Sequence, residues 1–429
     1  MGKLLMGCFG DDFTGASDAA SFIKKSGLNT ILINGVPGED MIIPDGTEAI
    51  VIALKTRTEN VSKAVDKSHD AYKWLRNKGC EHVYDKYCST FDSTDEGNIG
   101  PIIDYILEKH NIKYTILCPA LPVNKRIVKD GLIYVDGVLL AESHMNNHPL
   151  TPMTESDIEI LMKYQGKYNC LKINYEMLES SNEEILRFIY NFGDDKEHFY
   201  VIPDYIDERH AKKIVSLFGD LELLTGGSGL LAELGKYLKK EDDDCDIGNE
   251  FIISSKVYGK GVIFAGSCSK ATLTQIDTFI ANKGIAIKIE PKRLFMCNNE
   301  IERMWDFITE HSNDDVLIYS SGNSQEIEEI HMNFGKEQTS EKIEQCMAEL
   351  AKRAVDNGYK RIIVAGGETS GAITKKLGFS SYYVGEDIAP GVPIMVPIQN
   401  PDTRIVLKSG NFGQKDFFIR ALQLTKKDD

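Results

Sequence analysis

Three consecutive segments decide the fold: Lys3–Phe9 (KLLMGCF), Gly10–Gly15 (GDDFTG) and Ala16–Lys25 (ASDAASFIKK). The first is a short apolar run of strand length, and the third repeats its apolar residues at helical spacing until Gly27 stops it. Strand, tight polar turn, helix is the opening of a βαβ unit. In such sheets ligands gather beyond the carboxyl ends of the strands, where helix N-termini point. The turn carries two adjacent carboxylates, Asp11 and Asp12, which cannot both sit comfortably without a cation or proton donor nearby. One reading makes one Asp a helix cap and leaves the other in solvent. The other makes one a general base for a hydroxyl and the other a ligand for substrate or metal.

The pattern repeats along the chain. Strand expectations fall on Ala49–Leu54, His82–Lys86, Tyr114–Leu117, Cys170–Asn174, Phe199–Ile202 and Glu222–Leu224. A helix is expected from about Val61 to Lys78, and Ser181-x-x-Glu184 reads as a capping box. Arg126–Glu142 departs from the alternation, because its two Asp-Gly pairs between apolar runs are hairpin chemistry. The charged stretch Lys239–Asp246 reads as an inter-domain connection. Beyond it come strands Gly261–Ala265, Val316–Tyr319 and Arg361–Ala365, with helices to about Lys283 and from about Ser340 to Asn357. The expectation is α/β throughout: two domains, 1–240 and 250–429, each a mostly parallel sheet flanked by helices, with the active site in the cleft between them.

Length and composition agree. The chain has 429 residues, 42% hydrophobic and 27% charged, ordinary for globular domains with real cores. With 65 acidic against 49 basic residues the formal net charge is −16. That disfavours nucleic acid or an anionic membrane as partner. Nine scattered cysteines, without a Cys-x-x-Cys pair or zinc-ligand spacing, read as reduced thiols in the cytoplasm. No apolar stretch approaches the roughly 18 residues a membrane span needs, and the N-terminal apolar run ends at Asp11 with no cleavage site after it. His144 and His148 stand in a Pro-flanked loop and read as hydrogen-bonders rather than metal ligands.

Six turns carry unusual polar content. Besides Gly10–Gly15 there is Lys55-Thr56-Arg57, where Arg57 offers a two-pronged grip for a carboxylate. The loop Lys86–Asn98 (KYCSTFDSTDEGN) holds more hydroxyls than one helix cap needs. Thr225–Gly229 (TGGSG), Gly266–Ser269 (GSCS) and Gly366–Gly371 (GGETSG) are small-residue turns whose backbone N–H groups admit a phosphate. Lys408–Gly413 (KSGNFG) adds a further glycine loop. Two hydroxyl-rich turns in the C-terminal half point to a phosphate or nucleotide site, and Glu368 stands where it can reach Mg²⁺. The P-loop, the dinucleotide glycine fingerprint and the protein-kinase loop are all absent. So is the D-x-D of haloacid-dehalogenase phosphatases and the G-A-G-D of ribokinase-type folds.

Taken in order, Asp11–Gly15 (DDFTG), Lys86–Gly100, Glu142–Thr154 (ESHMNNHPLTPMT), Thr225–Leu230, Gly266–Ser269, Gly366–Gly371 and Lys408–Gly413 resemble the four-carbon acid sugar kinase family along nearly the whole chain. Within it they are most similar to the branch acting on 3-oxo-tetronate at its C4 hydroxyl. Threonate kinases of the family read roughly K-x-D-S-T-L-R-G-N where this chain has acidic Asp95-Glu96, which favours the 3-oxo branch over threonate; a D-threonate or D-erythronate kinase stays open as the alternative. His144 replaces the glycine usual in the branch. The resemblance implies a sugar-acid domain followed by an ATP domain. Asp12, with Asp11 and Asp92 behind it, would take the hydroxyl proton. Arg57, Lys86, Tyr87, Cys88, Ser89 and Ser93 would hold the acid; Ser267, Ser269, Gly366, Gly367, Glu368, Thr369 and Gly410 would hold ATP, with Mg²⁺ as the companion ion. A non-catalytic sugar-acid or nucleotide sensor on the same scaffold stays open, as does a homodimer.

Overall fold

The computed structural model describes residues 3–147, 151–241, 251, 254–296, 299–322, 329 and 332–427. His148 and the connection residues 242–246 lie outside the described residues. The chain divides between residues 251 and 252 into two compact units.

The first unit carries β1 (Met6–Gly10), β2 (Thr30–Asn34), β3 (Ala49–Ala53), β4 (Val83–Lys86), β5 (Tyr114–Cys118), β6 (Arg126–Lys129), β7 (Leu132–Val135), β8 (Val138–Leu139), β9 (Cys170–Ile173), β10 (Phe199–Pro203) and β11 (Leu223–Gly226). Its main sheet runs β2-β3-β1-β4-β11-β5-β10-β9, all neighbours parallel. After β1 the chain builds β2 and β3 on one side, then lays β4 on the other. The carboxyl end of β1 is therefore a topological switch point, the place where such sheets open a crevice. β1 and β3 are buried at every position, as strands covered on both faces must be. The helix Phe13–Lys25 starts three residues earlier than its apolar spacing suggests, because Asp12 caps it. The capping box at Ser181 and Glu184 is present. β6, β7 and β8 form a separate antiparallel sheet. Its two Asp-Gly turns hold all four residues at positive φ, as type I′ turns require.

The second unit carries β12 (Gly261–Ala265), β13 (Ile285–Lys288), β14 (Val316–Tyr319), β15 (Arg361–Ala365), β16 (Ser381–Ala389), β17 (Val392–Pro397) and β18 (Arg404–Lys408) in the order β13-β14-β12-β15-β18-β17-β16. β12 through β15 and β18 are parallel, while β16, β17 and β18 pair antiparallel. Here β12 is the switch strand, with β14 on one side and β15 on the other. The core joins Ile263, Leu317, Ile363, Ile394 and Val406 to Phe417 and Phe418 of the last helix, Phe417–Thr425.

One of the glycine turns has its explanation in this packing. A Cβ on Gly226 would stand 2.1 Å from the Cys118 carbonyl oxygen, one on Gly227 2.2 Å from that of Pro119, and one on Gly229 2.4 Å from that of Ala120. The Thr225–Gly229 turn is glycine-rich so that β11 can lie against the end of β5. Gly226→Ala is expected to destabilise the N-terminal unit by about 3 kcal/mol, the upper range for overpacking. Urea unfolding with an unchanged slope would show it.

Candidate functional site

At the carboxyl end of β1 the backbone holds three turns together. Leu54 N–H donates to the Gly10 carbonyl at 2.8 Å, Thr56 N–H to that of Asp11 at 2.9 Å, and Asp11 N–H to that of Lys86 at 3.1 Å. This brings Arg57 onto the two carboxylates. Its Nε and Nη2 donate to Asp11 at 2.7 and 2.8 Å, and its Nη1 lies 2.5 Å from Asp12. Asp92 stands 4.0 Å from the same guanidinium. Sequence reading offered Arg57 to a substrate carboxylate; in the structure its fork is engaged by the protein's own acids.

Asp12 accepts from the Gly15 N–H and from the Thr14 hydroxyl at 3.0 Å. Burial by itself would raise its pKa, but Arg57 and Lys86, with those two donors, hold the carboxyl below its usual range. It stays an ionised acceptor. Asp85 is the opposite case. Buried beside Asp11, it is pushed well above the ordinary carboxylate range, mainly by desolvation, with Lys86 only partly offsetting. Lys86 is 3% exposed, and its Nζ comes within 3.0 Å of where a Gly15 Cβ would be.

The polar loop is ordered by one strained residue. Phe91 is buried with φ +53°, its ring 5.4 Å from that of Tyr87. A bulky side chain at positive φ is costly, and such strain persists only where packing over-determines it. The turn aims Thr90, whose hydroxyl donates to Asp92 at 2.6 Å and lies 3.0 Å from the Cys88 thiol. Burial, with Asp92, pushes that thiol up to about 11, so it is no thiolate at neutral pH. Ser89 receives a bond from Arg126 at 3.3 Å, and Ser93 donates to Gln165 at 3.0 Å. The Tyr87 hydroxyl, 3.2 Å from that of Thr225, faces into the sheet. Asn98 makes no side-chain cap; its amide ties down the carbonyls of Thr56 and Glu59, at 2.5 and 3.0 Å. A pocket is lined by Asp11, Thr56, Arg57, Asp85, Tyr87, Asp92, Ser93 and Asn98, with Ile99 and Ile102.

In the second unit three loops meet at the carboxyl ends of β12, β15 and β18. A Cβ on Gly266 would fall 2.1 Å from the Thr369 hydroxyl, one on Gly366 3.1 Å from the Ser267 nitrogen, and one on Gly410 2.3 Å from the Ser267 hydroxyl. Ser267 accepts from the Ser269 N–H, and Ser269 caps helix Lys270–Ala281 while donating to the Gly410 carbonyl at 2.6 Å. Gly367 begins the helix Gly367–Leu377, whose first turn holds the exposed Glu368. Two helix N-termini thus open beside glycines that leave the main chain bare, a cradle that side chains would fill. Beneath it Lys408, fully buried, donates to the Thr272 hydroxyl at 3.0 Å and to the carbonyls of Ser409 and Gly410 at 3.1 and 2.9 Å.

Sequence reading missed Asp85, Arg126, Asn98 and the role of Lys408. Only Asp85-Lys86, a charged pair closing an apolar run, left a local signal. His144 is exposed in a short 3₁₀ turn. Among the described residues no cluster of three or more His, Cys, Asp or Glu could hold a metal ion, and no helix is long and apolar enough to cross a membrane. The described cysteines are free thiols.

Two family models match the chain: a sugar-binding N-terminal domain over residues 6–234 and a nucleotide-binding C-terminal domain over residues 262–418. They define the class, a sugar-binding domain followed by one for nucleotides. A Brucella melitensis protein named 3-oxo-tetronate kinase is 35% identical over 428 residues, 99% of this chain and 96% of that protein. A Haemophilus influenzae protein of the same name is 36% identical over 421 residues, 97% and 99% of the two chains. A solved structure from Salmonella typhimurium LT2, provisionally named a tRNA synthase, matches with TM-score 0.86 at 35% identity, covering 98% of this chain and 99% of that one. The chain belongs to the four-carbon acid sugar kinase family.

Burial lowers the Lys408 pKa from 10.5 to about 7. Between those values the unfolded chain binds a proton that the folded one does not, so stability rises as pH climbs from about 7 towards 10.5. Lys408→Met should abolish that rise, as denaturation midpoints at pH 7 and 9.5 would show. The same variant should weaken ATP binding about ten-fold, since the Gly410 loop loses its tether.

Proposed function

We propose that the protein is an ATP-dependent kinase that phosphorylates the C4 hydroxyl of 3-oxo-tetronate. The observation that carries this reading is the placing of Asp12, ionised and held by Arg57 and Lys86, at the switch point of the domain that matches the sugar-binding model. Full-length likeness to proteins named 3-oxo-tetronate kinase supplies the substrate.

The chemistry follows from these groups. Asp12 accepts the hydroxyl proton while the oxygen attacks the γ-phosphate, whose bond to the β,γ-bridging oxygen breaks to release ADP. A carboxylate of depressed pKa suits that task, because in phosphoryl transfer the proton leaves late and alignment matters more than base strength. Asp11 and Arg57 keep Asp12 oriented; Asp92 and Thr90 offer further contacts to the sugar hydroxyls. Ser267, Ser269, Gly366, Gly367, Thr369 and Gly410 cradle the phosphates through backbone N–H groups and hydroxyls. Mg²⁺ carried by a triphosphate keeps most of its ligands from phosphate and water, and Glu368 is the carboxylate placed to complete them. When bound, the ion neutralises charge on the transferring group. The cytoplasm, where ATP is abundant and thiols stay reduced, is the compartment this reading requires.

A coupled ADP assay over 3-oxo-tetronate, D-threonate and D-erythronate tests it. Turnover of 3-oxo-tetronate well above the others is expected. Turnover of threonate alone would overturn the substrate, and no turnover of any acid would make the protein a sensor. Asp12→Asn should lower kcat by roughly 10²–10⁴-fold and leave ATP affinity within two-fold of the unaltered protein.

A further inference from the structure

The sugar-binding domain poses a charge problem. Its substrate, on the reading above, is an anion, yet the site already holds Asp11, Asp12 and Asp92 against Arg57 and Lys86. Arg57 spends its Nε and both terminal nitrogens on Asp11 and Asp12. Lys86 is 3% exposed beneath the Gly15 turn. Arg57 leaves no free face for an incoming carboxylate, and an anion brought up to these three carboxylates with no further cation would be repelled.

Arg126 is a second guanidinium, and its donors are largely unused. It opens β6, where backbone bonds with Leu121 on one side (2.8 and 3.2 Å) and the β7 register on the other fix its position. Its side chain makes one hydrogen bond, from Nη1 to the Ser89 hydroxyl at 3.3 Å. Its Nε is buried without a partner, and it has no carboxylate ion pair among the described residues. A guanidinium that is partly desolvated and lacks a counter-ion is expensive to keep unless an anion completes it. Its charge also reaches the right place: the Cys88 thiol feels Arg57, Arg126 and Asp92 together, so all three surround the same loop.

We infer that Arg126 is the residue that binds the substrate's carboxylate, through its terminal nitrogens, and so selects sugar acids over neutral sugars. Arg57 then serves to hold Asp11 and Asp12 in place. The β6–β8 hairpin acquires a purpose on this view, since an antiparallel insert in a parallel α/β unit brings a cation over the sheet's edge. The inference rests on the proposed sugar-acid reading, and its test is chosen to fail separately from it.

Calorimetric titration without ATP compares 3-oxo-tetronate with erythrulose, the ketose in which CH₂OH replaces the carboxylate. The unaltered protein should bind the acid about 100-fold more tightly. Arg126→Met should remove at least ten-fold of that preference and leave erythrulose affinity within about three-fold; Arg126→Lys, a point charge without the fork, should recover part of it. ATP titration of each variant, unchanged from the parent, serves as the fold control. If Arg126→Met loses that control, Arg126→Lys decides alone: acid affinity equal to the parent's overturns the inference. Undiminished acid preference in a folded Arg126→Met overturns it too. A protein that binds the acid through Arg126 yet phosphorylates nothing would sink the kinase reading and sustain the inference. One that binds no four-carbon acid would sink both.

Discussion

Two carboxylates next to each other at the end of a buried strand set the terms for the first half of this molecule. Asp11 and Asp12 cannot both be ionised there unless a cation is delivered to within bonding distance, and Arg57 is delivered by the turn after β3. That requires β3 to pair beside β1 in the register Gly10 with Ala53, so that the two turns emerge level. It also requires β4 on the other flank, bringing Lys86 up beneath Gly15. The doubly wound order around β1 thus makes the acidic turn affordable. Asp85 gives the counter-example. One residue before Lys86 on β4 and fully buried, it is driven toward its neutral form by desolvation and by Asp11.

Glycine-rich turns divide into two physical kinds. In Thr225–Gly229 each missing Cβ would collide with a main-chain oxygen of residues 118 to 120, so the glycines serve strand packing. At Gly266, Gly366 and Gly410 the missing Cβ atoms face hydroxyls and nitrogens of the other loops, at the ends of β12, β15 and β18. Hydroxyls crowded against bare backbone, next to two helix N-termini, make a surface for phosphate oxygens. The motifs look alike in the sequence, and their neighbours separate them.

Much of this was legible. The strands with both faces covered read as uninterrupted apolar runs, which is why β1, β3, β12 and β15 were found within a few residues, and the Asp-Gly pairs announced the hairpin. β2 and β13 escaped. β13 is half-buried along its length at the edge of its sheet, and its apolar run, Ile285–Ile287, is only three residues long. The antiparallel end of the second sheet was also missed, although Pro390-Gly391 marks its turn. Among functional residues, those in local motifs were visible. Arg126 was not, because its meaning comes from Ser89, 37 residues earlier. Nor did local sequence show that Arg57's fork would be occupied, since that depends on the register of β1 with β3.

On the proposed reading the two units solve the anion problem by different means, each suited to its ligand. A sugar acid bears one charge at a fixed end, so discrimination calls for a directional fork, and a guanidinium supplies it. A triphosphate spreads its charge over many oxygens, and a chain of net charge −16 would pay heavily to surround it with exposed lysines. Helix N-termini and bare amides meet it without adding full charges to the surface. Lys408, kept out of water, donates to the carbonyls of Ser409 and Gly410 in the loop that forms the cradle's floor and to the Thr272 hydroxyl beside it. Burial holds its pKa low, and a polyanion bound above would favour its charged form.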